Sequence, residues 1–286
     1  MSHHVIIVNP NSGSVRREAS LLSVIEHQFA LRGHTVSVLE TERKGHAAEL
    51  AVQHAILGVS TLVAVGGDGT VSEVASGLLG STVALGIIPV GSGNGLARCL
   101  DIPMDIPGAI DRITAGSVRA LDVGWINDCP FFGTAGFGLD VAIVDRFNKG
   151  SVRGLVTYVH LAADALRSSP VQQFRLNGVP RHGAMLTFAN ASQFGNNAKI
   201  APRAIPFDGV LHAVITPKLT RWNTVPLLVR MFAGRYTNSP KVQELLGTKF
   251  LVEFDQPQAF HTDGEVHAPV ATAKISITNG QLRILC

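Results

Sequence analysis

The chain has 286 residues, enough for one large or two ordinary domains with a substantial core. Apolar residues make up 46% and charged residues 16%, with 29 glycines and 14 prolines, which excludes a disordered or coiled-coil protein and fits a loop-rich globular one. A net charge of +3, without a long run of Lys and Arg, gives no reason to expect a nucleic-acid partner.

Residues 5–8 form a continuous apolar run, as expected of a strand buried on both faces of a parallel sheet. Asn9, Pro10, Asn11, Ser12 and Gly13 follow as a loop. Leu21, Leu22, Val24, Ile25 and Phe29 have helical spacing, which predicts a helix over 16–31 closed by Gly33. A second strand is expected over 35–39, a loop from Thr41, and an Ala-rich helix over 47–57 ended by Gly58. The third strand, 61–65, runs into Gly66-Gly67-Asp68-Gly69-Thr70 and a helix-like run over 71–79. A fourth strand, 83–89, precedes Gly91-Ser92-Gly93-Asn94-Gly95-Leu96-Ala97-Arg98. Such alternation predicts a doubly wound α/β domain over 1–122. Ligands of these sheets bind beyond the carboxyl ends of the strands, and Asn9, Thr41, Asp68 and Ser92 each lie just after one.

After residue 122 the pattern changes. Stretches 131–137, 184–189, 210–215, 250–254, 273–278 and 282–285 read as strands separated by Pro, Gly and Asn turns. Helices are expected over 154–167 and 222–232. The reading is a mainly antiparallel β-sandwich domain over 123–286, with the active site in the cleft between the domains.

Gly66 to Thr70 carries specific chemistry. A strand, a glycine turn and a helix N-terminus aim unpaired backbone N–H groups and the positive end of the helix dipole at one place, which suits an anion. Glycines allow a phosphate to approach the backbone closely. A carboxylate among those amides makes sense if a divalent cation stands between it and the phosphates, or if it handles a proton. The plain alternative is a turn with Asp68 as a cap. The second glycine loop, in which Ser92 offers a hydroxyl and Asn94 can bond across the turn, strengthens the phosphate reading. No Walker-type loop occurs.

Asn9 to Gly13, Gly66 to Thr70, Gly91 to Asn94 with Leu96-Ala97-Arg98, Phe137-Gly138-Leu139-Asp140, and Asp263-Gly264-Glu265 occur in this order in the diacylglycerol kinase catalytic-domain family, and nearly the whole chain resembles it. That family includes bacterial lipid kinases and the sphingosine and ceramide kinases. The resemblance implies an ATP- and Mg2+-dependent lipid kinase acting on a diacylglycerol-like or sphingoid hydroxyl. It implies ATP binding by Asn9, Pro10, Asn11, Ser12, Gly13, Thr41, Gly66, Gly67, Asp68, Gly69, Thr70, Val71, Ser72, Ser92, Gly93 and Asn94. It also implies Glu265 as proton acceptor, Asp68 acting with the magnesium nucleotide, and a structural Mg2+ held by Asp208 with the carbonyls of Ile205 and Val210. A turn with one carboxylate and carbonyls suits a hard cation, and it equally suits no metal. Gly95 departs from the Asp that many bacterial diacylglycerol kinases carry there, which brings the loop nearer the sphingosine and ceramide kinase form. A soluble-metabolite kinase such as an NAD kinase, and a non-catalytic nucleotide- or lipid-binding protein, are the alternatives.

His261, Asp263, Glu265 and His267 alternate, which on one regular strand would suggest a metal site, but Gly264 breaks the alternation. A base, Glu265, with a nearby acid, Asp263, is the better reading. Residues 221–236 combine arginines, Trp222 and aliphatics, the composition either of an interfacial helix or of one covering the β domain. Phe131, Phe132, Phe137, Phe147 and Tyr158 could line an acyl-chain cleft or the core. Cys99, Cys129 and Cys286 are scattered and odd in number, which favours a reducing cytosol over a disulfide framework. The apolar run after Met1 is too short for a signal peptide, so a cytoplasmic protein is expected, with peripheral contact at the inner membrane surface left open. An exposed strand edge would leave a homodimer open.

Overall fold

The computed structural model describes residues 2–12, 20–149 and 171–286, with side chains through residue 145 in the helix that ends at 149. In chain order the first elements are β1 His3–Val8, α1 Leu21–Leu31, β2 Thr35–Glu40, α2 His46–Ile56, β3 Thr61–Gly66, α3 Asp68–Gly77, β4 Ala84–Pro89, α4 Gly95–Cys99, α5 Ile106–Ala115 and β5 Val118–Ile126. There follow β6 Cys129–Phe131, β7 Thr134–Gly138, α6 Leu139–Lys149, β8 Gln172–Leu176, β9 Val179–Gly183, β10 Met185–Ala189, β11 Leu211–Thr216, α7 Thr224–Phe232, β12 Gln243–Gly247, β13 Lys249–Thr262 and β14 Glu265–Leu285. Gly13, Tyr158 and the expected helix over 154–167 lie outside the described residues, as does the side chain of Phe147. Among the described residues no helix is long and apolar enough to cross a membrane.

The chain divides into two units: residues 1–121 with 279–286, and residues 122–278. These units differ from the division at 122/123 read from the sequence only in where Asp122 and residues 279–286 are placed. The last residues of β14 return to unit 1, where Arg283 and Ile284 pair in parallel with Ala84 and Leu85, and Leu282 and Ile284 are wholly buried. Without them β4 would itself be an uncovered apolar edge strand.

In unit 1 the parallel strands stand in the order β4-β3-β1-β2. β3 and β4 are buried at every position, as their unbroken apolar sequences require in a sheet packed on both faces. The chain leaves β1 for β2 on one side and crosses to β3 on the other. The gap between the carboxyl ends of β1 and β3 is thus the topological switch point of the sheet, where such folds bind ligands.

Unit 2 is antiparallel. β12, β11, β10, β7, β13 and β14 follow one another, and β8 pairs with both β13 and β9. Stretches 250–254 and 273–278, expected as separate short strands, belong to one long hairpin of β13 and β14, with irregular register between Glu253 and Phe260. The expected strand 131–137 is two strands, β6 and β7, broken at Phe132 and Gly133. Phe131, Phe132 and Phe137 are fully buried, and Phe131 and Phe137 belong to a core cluster with Phe188, Phe250 and Phe260. They are core residues and line no cleft.

Candidate active site

The loop after β1 turns on Asn9, whose Oδ1 accepts the N–H of Asn11 (2.9 Å) while its carbonyl accepts that of Ser12 (3.0 Å). Ser12 Oγ is buried and meets no hydrogen-bond partner among the described residues. A buried hydroxyl in that condition is suited to a ligand oxygen. Thr41, buried at the end of β2, donates its N–H to the carbonyl of Val8 (2.9 Å), which ties the ends of β1 and β2 together.

The two glycine loops are packed backbone to backbone. A Cβ on Gly91 would lie 2.4 Å from Gly67 Cα, so only glycine permits this approach. Asn94 locks the second loop: its Oδ1 accepts from Gly91 N–H (3.1 Å), its Nδ2 donates to the Gly91 carbonyl (2.8 Å), and it takes the left-handed φ of 52° that asparagine tolerates. Asp68 joins the loops, because its Oδ1 accepts the N–H of Gly95 at 2.7 Å. A Cβ at Gly93 would come within 2.8 Å of the other oxygen of Asp68, so glycine there keeps room beside the carboxylate. Arg98 Nε donates to the Gly93 carbonyl (3.1 Å) and pins the far side of the loop. Asp68 opens α3, whose first-turn amides have no partner within the helix itself. The residues of β3-loop-α3 and β4-loop-α4 thus form one rigid cradle beside the switch point. Gly69 is exposed in it, and Thr70 and Val71 are buried beneath it.

In unit 2, Asp263 and Gly264 form the two-residue turn between β13 and β14, with φ of 47° and 87° and Thr262 paired to Glu265. Two consecutive positive φ values are the mark of the tight hairpin turn that Asp-Gly favours. The Asp263 carboxylate does not point to solvent. Its Oδ2 accepts from Phe132 N–H (2.7 Å), and its Oδ1 from Gly133 N–H (2.8 Å) and Thr134 N–H (3.0 Å). Burial pushes its carboxyl above the ordinary aspartate value, and the three donors work against that shift. With both oxygens engaged by the backbone, Asp263 holds the turn in place and is not itself arranged as an acid. Glu265, the first residue beyond the turn, is exposed.

The alternating histidines and carboxylates do not converge. His261 is buried with Nε2 3.1 Å from Asp140 Oδ2, the same oxygen that accepts the Thr187 hydroxyl at 2.7 Å. His267 stacks on Phe260 with ring centroids 4.7 Å apart, and its Nε2 pairs with Thr262 Oγ1 at 2.7 Å. Among the described residues no group of three or more His, Cys, Asp and Glu is placed to hold a metal. The Asp140–Thr187–His261 cluster was missed from spacing, because its members come from three separate segments. The only hint was Asp140 itself, at the end of the Phe137-Gly138-Leu139 motif.

In the turn at 205–210, Asp208 Oδ1 accepts from Val210 N–H (3.0 Å), and the Ile205 carbonyl accepts from Phe207 (2.8 Å) and Asp208 (3.4 Å). The Ile205 carbonyl and one Asp208 oxygen are thus already engaged by the turn's own amides. As arranged, Ile205, Asp208 and Val210 close the turn on itself and do not form an open magnesium cage. The buried Asp122 holds the same turn from below, accepting from Gly209 N–H at 2.7 Å.

A family model described as the diacylglycerol kinase catalytic domain matches residues 3–126. A second, described as the YegS C-terminal NAD kinase beta sandwich-like domain, matches residues 133–286. The chain belongs to the diacylglycerol kinase catalytic-domain family. Its α/β domain followed by a C-terminal β-sandwich is that of the family. It is 29% identical over 269 residues to a diacylglycerol kinase of Bacillus subtilis, covering 91% of this chain and 88% of that one. It is 28% identical over 242 residues to a Klebsiella pneumoniae protein named "Probable lipid kinase YegS-like", covering 82% of this chain and 80% of that one. A crystal structure of a diacylglycerol kinase from Bacillus anthracis str. Sterne superposes with a TM-score of 0.75 at 19% identity, over 99% of this chain and 96% of that one. Membership of this family supports a lipid kinase.

Proposed function

We propose that the protein transfers the γ-phosphate of ATP, as its magnesium complex, to the hydroxyl of a diacylglycerol-like or sphingoid lipid. The observation that carries this reading is the cradle of interlocked glycine loops at the switch point, tied by the Asp68–Gly95 bond. The buried Ser12 hydroxyl supports it, since that group awaits an acceptor or donor. Bound there, the magnesium nucleotide would supply the phosphoryl group and offset part of its charge.

The chain's own residues then have distinct tasks. Amides of the glycine loops and the first turn of α3 hold phosphate oxygens, with Asn9, Pro10, Asn11, Ser12, Thr41, Val71, Ser92 and Asn94 around them. Asp68 fixes the second loop and would offset the charge of the magnesium carried by the nucleotide. Glu265 accepts the proton of the lipid hydroxyl as its oxygen bonds to phosphorus, and the bond to the ADP oxygen breaks. Asp263 positions Glu265 by holding the hairpin turn. Acting on a membrane lipid, the enzyme would work from the cytoplasmic side of the membrane.

The test is transfer of labelled γ-phosphate from Mg-ATP to mixed micelles of diacylglycerol, monoacylglycerol, ceramide or sphingosine in turn, with NAD and sugars as soluble acceptors. Glu265→Gln should lower turnover about 10²–10⁴-fold with nucleotide affinity kept. Near-normal turnover removes Glu265 from the role of base, and label in NAD alone moves the protein to soluble-metabolite chemistry.

A further inference from the structure

Helix α7 departs from the ordinary pattern of a surface helix. Its inward residues Thr224, Leu227 and Met231 are buried, the latter two in a core cluster with Met185, Val214 and Tyr236. A surface helix normally turns polar residues outward. Here the outward positions are Val225 and Val229, one helical turn apart and exposed at 64% and 62%, and Trp222 just before the helix is exposed at 75%. The Arg221 guanidinium lies 4.9 Å from the centre of the Trp222 ring. A large exposed aromatic beside two exposed aliphatics is costly in water and marks a contact surface.

The charge around this face says what kind of contact. Between Pro217 and Gln243 the sequence has Lys218, Arg221, Arg230, Arg235 and Lys241 and no Asp or Glu. Among the described residues none of these cations is in an ion pair. A second copy docking through the same face would set cations against cations, which disfavours a two-fold dimer there. An anionic bilayer suits every part: Trp settles at the head-group level, aliphatics enter the acyl boundary, and Lys and Arg reach lipid phosphates.

We propose that the α7 face is where the protein docks on an anionic lipid bilayer, with Trp222, Val225 and Val229 inserted and Lys218, Arg221, Arg230 and Arg235 on the head groups. The proposal rests on the lipid-kinase reading, in which a membrane-dissolved acceptor brings the enzyme to a bilayer. It adds the surface and the lipid charge.

The experiment is cosedimentation of the full chain with vesicles of phosphatidylcholine alone or with phosphatidylglycerol added, at low and high salt. Wild type and a Trp222→Ala, Val229→Ser variant are compared. Binding should need phosphatidylglycerol, weaken with salt, and fall about tenfold or more in the variant, as expected for removing a large inserted side chain. Both positions are exposed, so the urea midpoint should hold. Transfer to a detergent-dispersed short-chain acceptor should hold as well. Equal vesicle binding by wild type and variant overturns the proposal, as does binding indifferent to phosphatidylglycerol. A variant that changes only the sedimentation of the free protein marks a self-association face and also overturns it. Vesicle binding that is lost in the variant, in a protein that phosphorylates no acceptor, upholds the docking face and removes the kinase reading instead.

Discussion

Replacing Gly91 by alanine puts a Cβ 2.4 Å from Gly67 Cα and 2.7 Å from Asn94 Oδ1. Ordinary contact begins at 3.4 Å, so the glycine loops must part by about 1 Å. Neither obstacle can swing aside: one is backbone, and Asn94 is held by two bonds to Gly91 itself. Overpacking of this kind costs about 1–3 kcal/mol, and weakening of the Asp68–Gly95 bond adds about 1 kcal/mol. Urea unfolding should therefore show Gly91→Ala destabilised by about 2–4 kcal/mol. Gly69→Ala is the counterpart. A Cβ there meets nothing within 4 Å, and the position lies inside α3, so alanine should stabilise the fold by about 0.5–1 kcal/mol. The same methyl would crowd a phosphate seated on the first turn of α3, and the KM for ATP should rise about tenfold or more. A Gly69→Ala enzyme with a wild-type KM for ATP would take the phosphate away from this helix. A Gly91→Ala protein of wild-type stability would deny the contact between the loops.

Asp68→Asn keeps an oxygen for the Gly95 amide but removes the negative charge, so stability should change by less than about 1 kcal/mol. Turnover with Mg-ATP should meanwhile fall at least about tenfold, and an unchanged magnesium dependence would remove Asp68 from that role. Asp263→Ala strands three backbone N–H groups and places alanine at a positive φ, a loss on the order of 3–5 kcal/mol, read by urea denaturation against a smaller loss for Asp263→Asn. His4 supplies a pH dependence. Burial, then the nearby His34 and His3, push its imidazole down from 6.5 to about 4. Within that window the unfolded chain carries a proton that the folded chain refuses, so stability falls as pH drops from 6.5 toward 4, by roughly 2 kcal/mol once partial access to water is allowed for. His4→Phe should remove this share of the fall between neutral pH and about pH 4.5. An equal fall in both proteins would assign it elsewhere.

The strand-loop-helix of Thr61 to Gly77 was legible because each signal is local: an apolar run for the strand, glycines for the turn, and helical spacing after it. The hairpin was only half legible. Asp-Gly is a strong turn signal, but the alternation of His261, Asp263, Glu265 and His267 drew attention to a shared face that the turn abolishes. The break at Phe132 and Gly133 could not be read at all, because what bends the chain there is the carboxylate of Asp263, 131 positions further on. Asp263 itself was read as an acid, since a sequence does not say that three amides already occupy its oxygens. The buried pairing of His261 with Asp140 was hidden for the same reason, as was the return of Leu282 and Ile284 to the edge of β4.

That return has a consequence for how the protein is made. Residues 279–286 leave the ribosome after the whole of unit 2, yet they finish the sheet of unit 1. Domains tend to fold in the order in which they are synthesised. Here the sheet of unit 1 must wait, with the outer edge of β4 open to any passing strand, until translation has passed unit 2 and delivered residues 279–286.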